Sequence, residues 1–494
     1  YIYNNNTSAG AVRDGSYIRL SDYSLTPSLS SMQNRYFSGY FVGGYTYKER
    51  YGISGSFRID QANLFGTDPK YRYRPLWSVG FKWNMAKEDF MKELSWIDVL
   101  DLRGSYGLTG NVDQTTTPYL VARMTTQNRY TAETIPYTMI SEAPNPLLRW
   151  ERTASYNLGV DFILLGGKLS GKLDYYHKRS DDLLATIEVP FTSGYSRQRV
   201  NYGAMTNNGF ELSLSSSWWK NKDWSVYSSF TFYYNKNKVT RSFYNATQAS
   251  QLISGSYYQE GRPFNAIYAY QYGGLTSGGT DAQNGIPDII RADGTSVVHF
   301  NENGGINIDA STTMKPEDLV YMGSGTPVWG GSFTQNIRFR NWELSAFVTY
   351  YGGHKVYVPS FNFYATNYNT LSDFYAQSWT PENSSSLIPK HFVHYDASAD
   401  GGKAIGLQEM YQKSTANVED GDMIRLRNIS LAYSLPTKYV SKLRMENVKL
   451  IAQVNNPCFW SAAGHGIDPE TLGTGGSWTL PQPTSYLLKL NVQF

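Results

Sequence analysis

The sequence predicts an all-β fold, a transmembrane antiparallel β-barrel with long extracellular loops at one end and short periplasmic turns at the other. Three observations lead there. Apolar and small polar residues alternate over stretches of about ten positions throughout the chain, which is the period of a two-faced strand. Aromatics (41 Tyr, 23 Phe and 12 Trp) make up 15% of the 494 residues and gather near the ends of those stretches. The connections between the stretches alternate between long and short along the chain, as in bacterial outer-membrane barrels.

A mean hydropathy of −0.44 rules out a bundle of apolar helices, and no stretch approaches the roughly 18 consecutive apolar residues of a spanning helix. A membrane-spanning chain without such runs must close its backbone hydrogen bonds in a barrel. The 44 basic and 41 acidic residues are interspersed, for a net charge of +3, so neither a nucleic-acid partner nor a polybasic anchor is indicated. Cys458, the single cysteine, excludes an internal disulfide framework. Its apolar neighbours favour an inert buried or lipid-facing thiol over a nucleophile. The opening Tyr1-Ile2-Tyr3-Asn4 shows neither a basic region nor an apolar one of the kind that marks a targeting peptide.

Strands are expected near 36–47, 51–60, 74–84, 99–108, 150–164, 168–180 and 209–219, then 223–236, 328–340, 341–351, 422–435, 447–456 and 483–494. In the fifth, Ala154, Tyr156, Leu158, Val160 and Phe162 share one face, opposite Thr153, Ser155, Asn157, Gly159 and Asp161. Gly166-Gly167 then supplies the positive φ angles of a tight hairpin. The next two strands alternate Leu169, Gly171, Leu173 and Tyr175 with Lys168, Ser170, Lys172 and Asp174, and Phe210, Leu212 and Leu214 with Glu211, Ser213 and Ser215. A soluble sandwich shares this period, but rarely a polar face so poor in large apolar side chains or aromatics such as Trp218, Trp224, Tyr234, Trp342 and Tyr350 at so many strand ends.

With these strands, the long connections (61–73, 109–149, 181–208, 237–327, 352–421 and 457–482) fall on one side and the short ones on the other. The strand-like stretch from Ala266 to Gly273 would invert that parity, so it is assigned to a loop excursion. About thirteen strands make an odd count, whereas complete barrels of this kind have an even one. The expectation is therefore a later portion of a longer polypeptide that needs preceding strands to close.

Asn145-Pro146-Leu147-Leu148-Arg149-Trp150-Glu151, continuing to Asn157-Leu158-Gly159-Val160-Asp161-Phe162 and Asp174-Tyr175-Tyr176-His177-Lys178-Arg179, resembles SusC-like (RagA-like) TonB-dependent transporters of Bacteroidetes outer membranes. In the same order as in that family follow Tyr51 to Asp60, Leu102 to Asn111, Tyr234 to Val239, Trp379-Thr380-Pro381-Glu382-Asn383, Val418 to Asp422 with Arg425-Leu426-Arg427-Asn428, and Pro481-Gln482-Pro483. The resemblance implies that residues 1–494 are the C-terminal barrel portion, about the last thirteen of some 22 strands. The plug domain, the TonB-contacting segment and the first strands would then lie outside this chain. It also implies import of a large nutrient, glycan or peptide, together with a SusD-like surface lipoprotein that sits on the loops.

Catalytic motifs are missing: there is no P-loop, no Gly-x-Ser-x-Gly elbow and no His-Glu-x-x-His. His391 and His394 could ligate a metal only with a carboxylate such as Asp396 turned toward them, and loop histidines suffice as a reading. No histidine near a strand wall, His177 included, has an obvious partner at strand-pair spacing. Asp281, Asn284, Asp288 and Asp293 make one loop oxygen-rich, but their spacing breaks the EF-hand pattern, so calcium is not indicated and no cofactor is expected. The rival readings to an importer are an open channel and a barrel-embedded hydrolase. A non-enzymatic importer fits the residues better.

The alternation places Arg103, Asp161, Lys172, Glu211, Glu343 and Lys489 toward the lumen. Tyr364, Tyr368, Tyr375 and Trp379 are candidates to contact substrate or lid, with packing of their loop against its neighbours or against the lid as the alternative. The last strand alternates up to Phe494 and resembles the C-terminal signature, ending in Phe, by which such barrels are recognised for assembly.

Overall fold

The computed structural model describes residues 35–62, 74–111, 118–127, 135–195, 197–243, 245–281, 283–300, 306–360, 376–390, 401–473 and 479–494. Alternation of side chains at period two favours strands, and the strands pair wherever a turn lets the chain fold straight back. They are β1 (Tyr36–Tyr47), β2 (Tyr51–Ala62), β3 (Arg74–Asn84), β4 (Ile97–Asn111), β5 (Glu151–Leu164), β6 (Leu169–Glu188) and β7 (Arg197–Lys220). Then come β8 (Trp224–Arg241), β9 (Trp329–Phe339), β10 (Trp342–Gly352), β11 (Met423–Ser434), β12 (Asn447–Ser461) and β13 (Ser485–Gln493). All thirteen join one antiparallel sheet in chain order, with β1 and β13 at its edges. These are the thirteen wall strands expected from the sequence.

Short turns close one end of the sheet. At Leu165, Gly166 and Gly167 the backbone takes φ values of 58°, 66° and 79°, a left-handed path that glycine adopts without a Cβ clash. The Asp98 carboxylate accepts from the amides of Gly166 and Gly167 at 2.8 and 3.1 Å. Asn221 forms an Asx turn, its side-chain oxygen accepting from the amides of Asp223 and Trp224 at 3.0 and 2.8 Å.

The two faces of the sheet differ in chemistry. One is zipped by hydroxyl pairs across strands: Ser56 with Ser78, Thr153 with Ser180, Ser215 with Ser229, and Thr231 with Ser332, at 2.7–3.2 Å. The other leaves large apolar residues uncovered, with Leu158 at 64%, Phe41 at 69% and Leu488 at 73% exposure. Apolar area on that scale demands lipid rather than water as its neighbour. Aromatic rings band this face at two levels. Trp224, Phe339, Trp342 and Tyr433 form a row beside the short turns. Trp77, Tyr106 and Tyr156 form another near the long loops, with ring centroids 5.4 and 4.4 Å apart. On β8, Trp224 and Tyr234 are ten residues apart, about 33 Å along the strand, which a tilt of about 40° reduces to the roughly 25 Å of a barrel's apolar band.

The connection expected over 181–208 is mostly strand. β6 and β7 stay paired from Leu183 opposite Gly203 to Glu188 opposite Arg197, so the connection shrinks to residues 189–196. A register shift between Ser180 and Leu183, with Asp182 at φ 60°, breaks the alternation and hides the continuation from a period count. β6, β7 and β8 therefore stand well above the aromatic band.

The other long connections carry structure of their own. Val121–Gln127 pairs with Ile135–Glu142 in a hairpin. Ala266–Leu275 is a strand, but outside the wall, as the parity required. It is the middle of a three-stranded sheet with Pro287–Ile290 and Leu319–Ser324. The legs of the 352–421 connection clasp each other through Lys355–Tyr357 and Val418–Asp420. Its helix, Gly401–Gln412, inserts Leu407, Met410 and Tyr411 into a core with Tyr270, Ile286, Ile289, Val297, Val298, Ile308 and Met314. The two longest connections thus fold as one body with a conventional buried core, which a single-layer wall cannot supply.

Candidate functional site

The pairing register carries all six charged residues expected at the lumen onto one face. Arg103 lies opposite Gly159 and Asp161 opposite Lys172, while Gly159 in turn faces Asp174, and Asp174 faces Glu211. The same row system continues through Arg338 opposite Glu343, Glu343 opposite Ala432, Ala432 opposite Ile451 and Ile451 opposite Lys489. This is the polar, hydroxyl-zipped face. Arg103 forks onto Asp161 at 2.7 and 2.9 Å and reaches Asp174 at 3.0 Å. Gly159 makes room for that fork, since a Cβ there would lie 2.8 Å from Arg103 Nη2. Lys82 and Asp101 form a neighbouring pair at 2.7 Å on the same face. Glu343 pairs with Lys449 at 2.5 Å, several strands away. Lys172, Glu211 and Lys489 remain exposed. Arg103, Asp161, Lys172 and Glu211 thus form one charged patch, and Glu343 and Lys489 do not join it.

The loop body holds a cleft of about 520 Å³ lined by Leu252, Tyr258, Phe264, Tyr270, Tyr357, Glu409 and Lys413, among others. Tyr258 and Phe264 stack with centroids 4.4 Å apart. The Lys413 ammonium sits 4.0 Å from the Tyr357 ring centroid, a cation–π contact. Tyr357 donates its hydroxyl to the Tyr268 carbonyl at 2.5 Å. Burial lowers the Lys413 pKa to about 8 and raises that of Tyr270 to about 12, the Glu409 carboxylate adding to the latter. Aromatic faces beside one acid and one amine can stack on flat rings and hydrogen-bond polar edges.

At the rim, Arg425 on β11 is locked to the last long connection. Its Nη2 lies 2.5 Å from Asp468 Oδ2, with side-chain exposures of 3% and 1%, and its Nε lies 3.2 Å from Glu470. Arg427 adds a hydrogen bond to Glu470 at 2.9 Å and another to Thr349 at 2.8 Å. The guanidinium of Arg425 also faces the Phe459 ring, 4.9 Å from its centroid. Arg425 and Arg427 stood out in the sequence only as part of a family-like stretch, and nothing marked Asp468 as their partner.

Trp379 is 6% exposed. Its ring covers Gly285, which holds φ 80°, and Lys390 Nζ lies 5.7 Å from the ring centroid. Packing of its loop against the neighbouring 237–327 connection is thus the role its position supports. Tyr364, Tyr368, Tyr375, His391, His394 and Asp396 lie outside the described residues. His177 does have a cross-strand partner, contrary to the sequence expectation: its Nδ1 meets the Asn208 side-chain oxygen, and its ring lies 6.0 Å from that of Tyr156. An amide oxygen can orient an imidazole, and a hydrolytic site would need a nucleophilic hydroxyl or thiol beside the ring as well. In the oxygen-rich loop, Asn284 accepts from Gly279 N and Asp293 from Thr295 N in local turns, and Asp288 accepts from Ser296 Oγ across a hairpin, all at 2.5–3.0 Å. Among the described residues, no group of three or more His, Cys, Asp or Glu side chains converges on a metal-sized site. Cys458 is a free thiol opposite Leu426 on the apolar face. Phe494 is 81% exposed beyond the edge strand β13.

Residues 2–456 match the family described as TonB dependent receptor-like, beta-barrel. The TonB-dependent receptor SusC of Bacteroides thetaiotaomicron is 25% identical over 470 residues, covering 91% of this chain and 43% of SusC. The TonB-dependent receptor P26 of Formosa agariphila is 27% identical over 491 residues, covering 95% of this chain and 47% of that receptor. The RagAB peptide transporter structure superposes with a TM-score of 0.74 at 24% identity, over 97% of this chain and 50% of that one. The chain thus spans about half the length of the relatives it matches. The thirteen-stranded wall with its two-faced chemistry, matched over nearly its whole length, belongs to the TonB-dependent receptor-like β-barrel family of the bacterial outer membrane, in its SusC-like branch.

Proposed function

We propose that this chain forms most of the wall and the extracellular recognition body of an active importer, which takes up a large nutrient, glycan or peptide, with TonB contacts supplied by the rest of the protein. The observation that carries this reading is the folding of the two longest connections into one body, with its own core and an aromatic cleft, at the long-loop end of the wall. An open channel needs only short or flexible loops there. A built recognition body supports capture before passage. The polar face with Arg103, Asp161, Lys172, Glu211, Glu343 and Lys489 then lines the passage.

The named relatives are receptors and a peptide transporter, which supports transport over hydrolysis as the function. A SusD-like surface lipoprotein would cap the loop body, and the stretch with Tyr364, Tyr368 and Tyr375 would contact that lid or the cargo. The test replaces 361–375 by a short Gly-Ser linker in the full-length protein. Expected is a normally folded barrel, by heat-modifiable gel mobility, with reduced co-purification of the lid lipoprotein and reduced uptake of labelled oligosaccharide or peptide. Unchanged co-purification and uptake would show that the segment makes no such contact.

A further inference from the structure

The charges on the apolar face are not scattered. β1 to β4 and β10 to β12 show aromatic and aliphatic residues near their long-loop ends on this face, such as Trp77, Leu108, Tyr350, Ile424 and Trp460. On β5 to β8 the face changes abruptly above the aromatic row. Tyr175, Phe210 and Tyr234 share one cross-strand row. One step higher, His177, Asn208 and Lys236 share the next, and one step above that come Arg179, Thr206 and Lys238. Arg152 and Arg241 extend the patch. Arg152, Arg179, Lys236, Lys238 and Arg241 are all exposed. Arg179 and Lys238 flank Thr206 from the two neighbouring strands, about 10 Å apart at the backbone.

Two acids lie close by. Asp181 pairs with Arg179 at 3.1 Å and more distantly with Arg152 at 3.9 Å. Glu260 accepts from the Ser242 amide. Glu188 shares a cleft with Arg241 but stands opposite Arg197 across the strands, so five cations against Asp181 and Glu260 leave a clear positive excess, at the depth where an aromatic belt gives way to headgroups. The outer leaflet of this membrane presents phosphorylated glycolipid at that depth.

We propose that this patch binds the phosphoryl groups of an outer-leaflet glycolipid, with Arg179 and Lys238 as its principal cations and the Tyr175, Phe210 and Tyr234 row beneath it packing on the acyl chains. Basic residues at a membrane surface attract anionic headgroups in this way, and guanidinium forks match phosphate geometry. The proposal rests on the outer-membrane barrel reading and adds a ligand to the outside of the wall, away from any cargo path.

The test uses the full-length transporter in zwitterionic nanodiscs, with a bisphosphorylated lipid A as probe and native mass spectrometry as readout. The variant is Arg179→Gln with Lys238→Gln. Lys178→Gln, one residue away on the polar face, is the control. Expected are retention of the probe by the wild type and the control, a loss of about tenfold or more in the double variant, and weak binding of the dephosphorylated glycolipid by all three. Equal retention by the double variant overturns the proposal. So does complete displacement of the probe by millimolar inorganic phosphate, which would make the patch a free-anion site. Loss of self-association in the variant with lipid retention intact would make it a protein interface, and equally overturn the proposal. Membrane fractionation and heat-modifiable mobility separate the two failures. A protein absent from the outer membrane defeats the underlying reading, whereas a folded outer-membrane barrel with charge-independent retention defeats only this one.

Discussion

Replacing Asp468 by Asn is expected to release the last long connection from the wall without unfolding the barrel. Arg425 and Asp468 are almost fully buried, at 3% and 1% side-chain exposure, so the variant leaves a desolvated guanidinium with a neutral neighbour. Losing one member of a buried ion pair costs about 3–5 kcal/mol. Glu470 still faces Arg425 at 3.2 Å and also holds Arg427, which argues for the lower end. About 3 kcal/mol corresponds to a rise of roughly 100-fold in the local opening equilibrium. Hydrogen exchange read by mass spectrometry on peptides covering 462–473, in the full-length protein, measures that ratio directly. Protection across β11 and β12 should change far less, because their backbone ladder is untouched. An apolar pair, Arg425→Met with Asp468→Leu, should restore most of the protection, since well-packed apolar residues can replace a buried ion pair. A change below about threefold in Asp468→Asn would refute the reasoning that the pair clamps this connection.

Gly285→Ala should loosen the loop body by about 2–4 kcal/mol, combining a side chain at φ 80° with a Cβ 2.5 Å from the Trp379 ring. Exchange within 276–290 and a red-shifted Trp emission report it, and heat-modifiable mobility should not change. Asp161→Asn should cost no more than about 1 kcal/mol in chemical denaturation, because Arg103 is one-third exposed and keeps Asp174. A loss of several kcal/mol would show a buried network instead. The loop body should also respond to pH. Lys413, held down to about 8 by burial, is charged in both folded and unfolded chains below that value. Folding must then desolvate the ammonium, and the penalty fades as pH rises from 8 toward the ordinary lysine range. Tyr268 and Tyr270, raised to about 12 by burial, act oppositely: their contribution is intact below pH 10 and is lost between 10 and 12. Protection of 401–413, corrected for intrinsic exchange, should therefore rise from pH 7.5 to 9.5 and fall above 10.5. A flat profile would show that these groups are solvated in the folded protein.

The barrel wall was legible in the sequence because each of its strands alternates between two solvents. Period two is set by backbone geometry, and lipid on one side and polar surface on the other impose residue types independently on each strand. That is why Arg103, Asp161, Lys172, Glu211, Glu343 and Lys489 could be assigned to one face without knowing their partners. The same logic failed over 181–208, where a bulge at Asp182 shifts the phase although the strands remain paired. It also had no purchase on the loops. The core that joins Ile286 and Ile289 to Leu407 and Met410 brings together segments more than a hundred residues apart, with no shared period. The role of Trp379 shows the difference most clearly. As a loop aromatic it read equally as a contact residue or as packing, and only its cover over Gly285 decided for packing. Alternation, aromatic bands and connection parity are local or one-dimensional properties, so the sequence determined the wall, its two faces and its membrane. Which loops share a core, that Arg425 meets Asp468, and that five cations gather on the outside of β5 to β8 were decided by tertiary structure alone, because register and long-range burial depend on residues that only the folded chain makes neighbours.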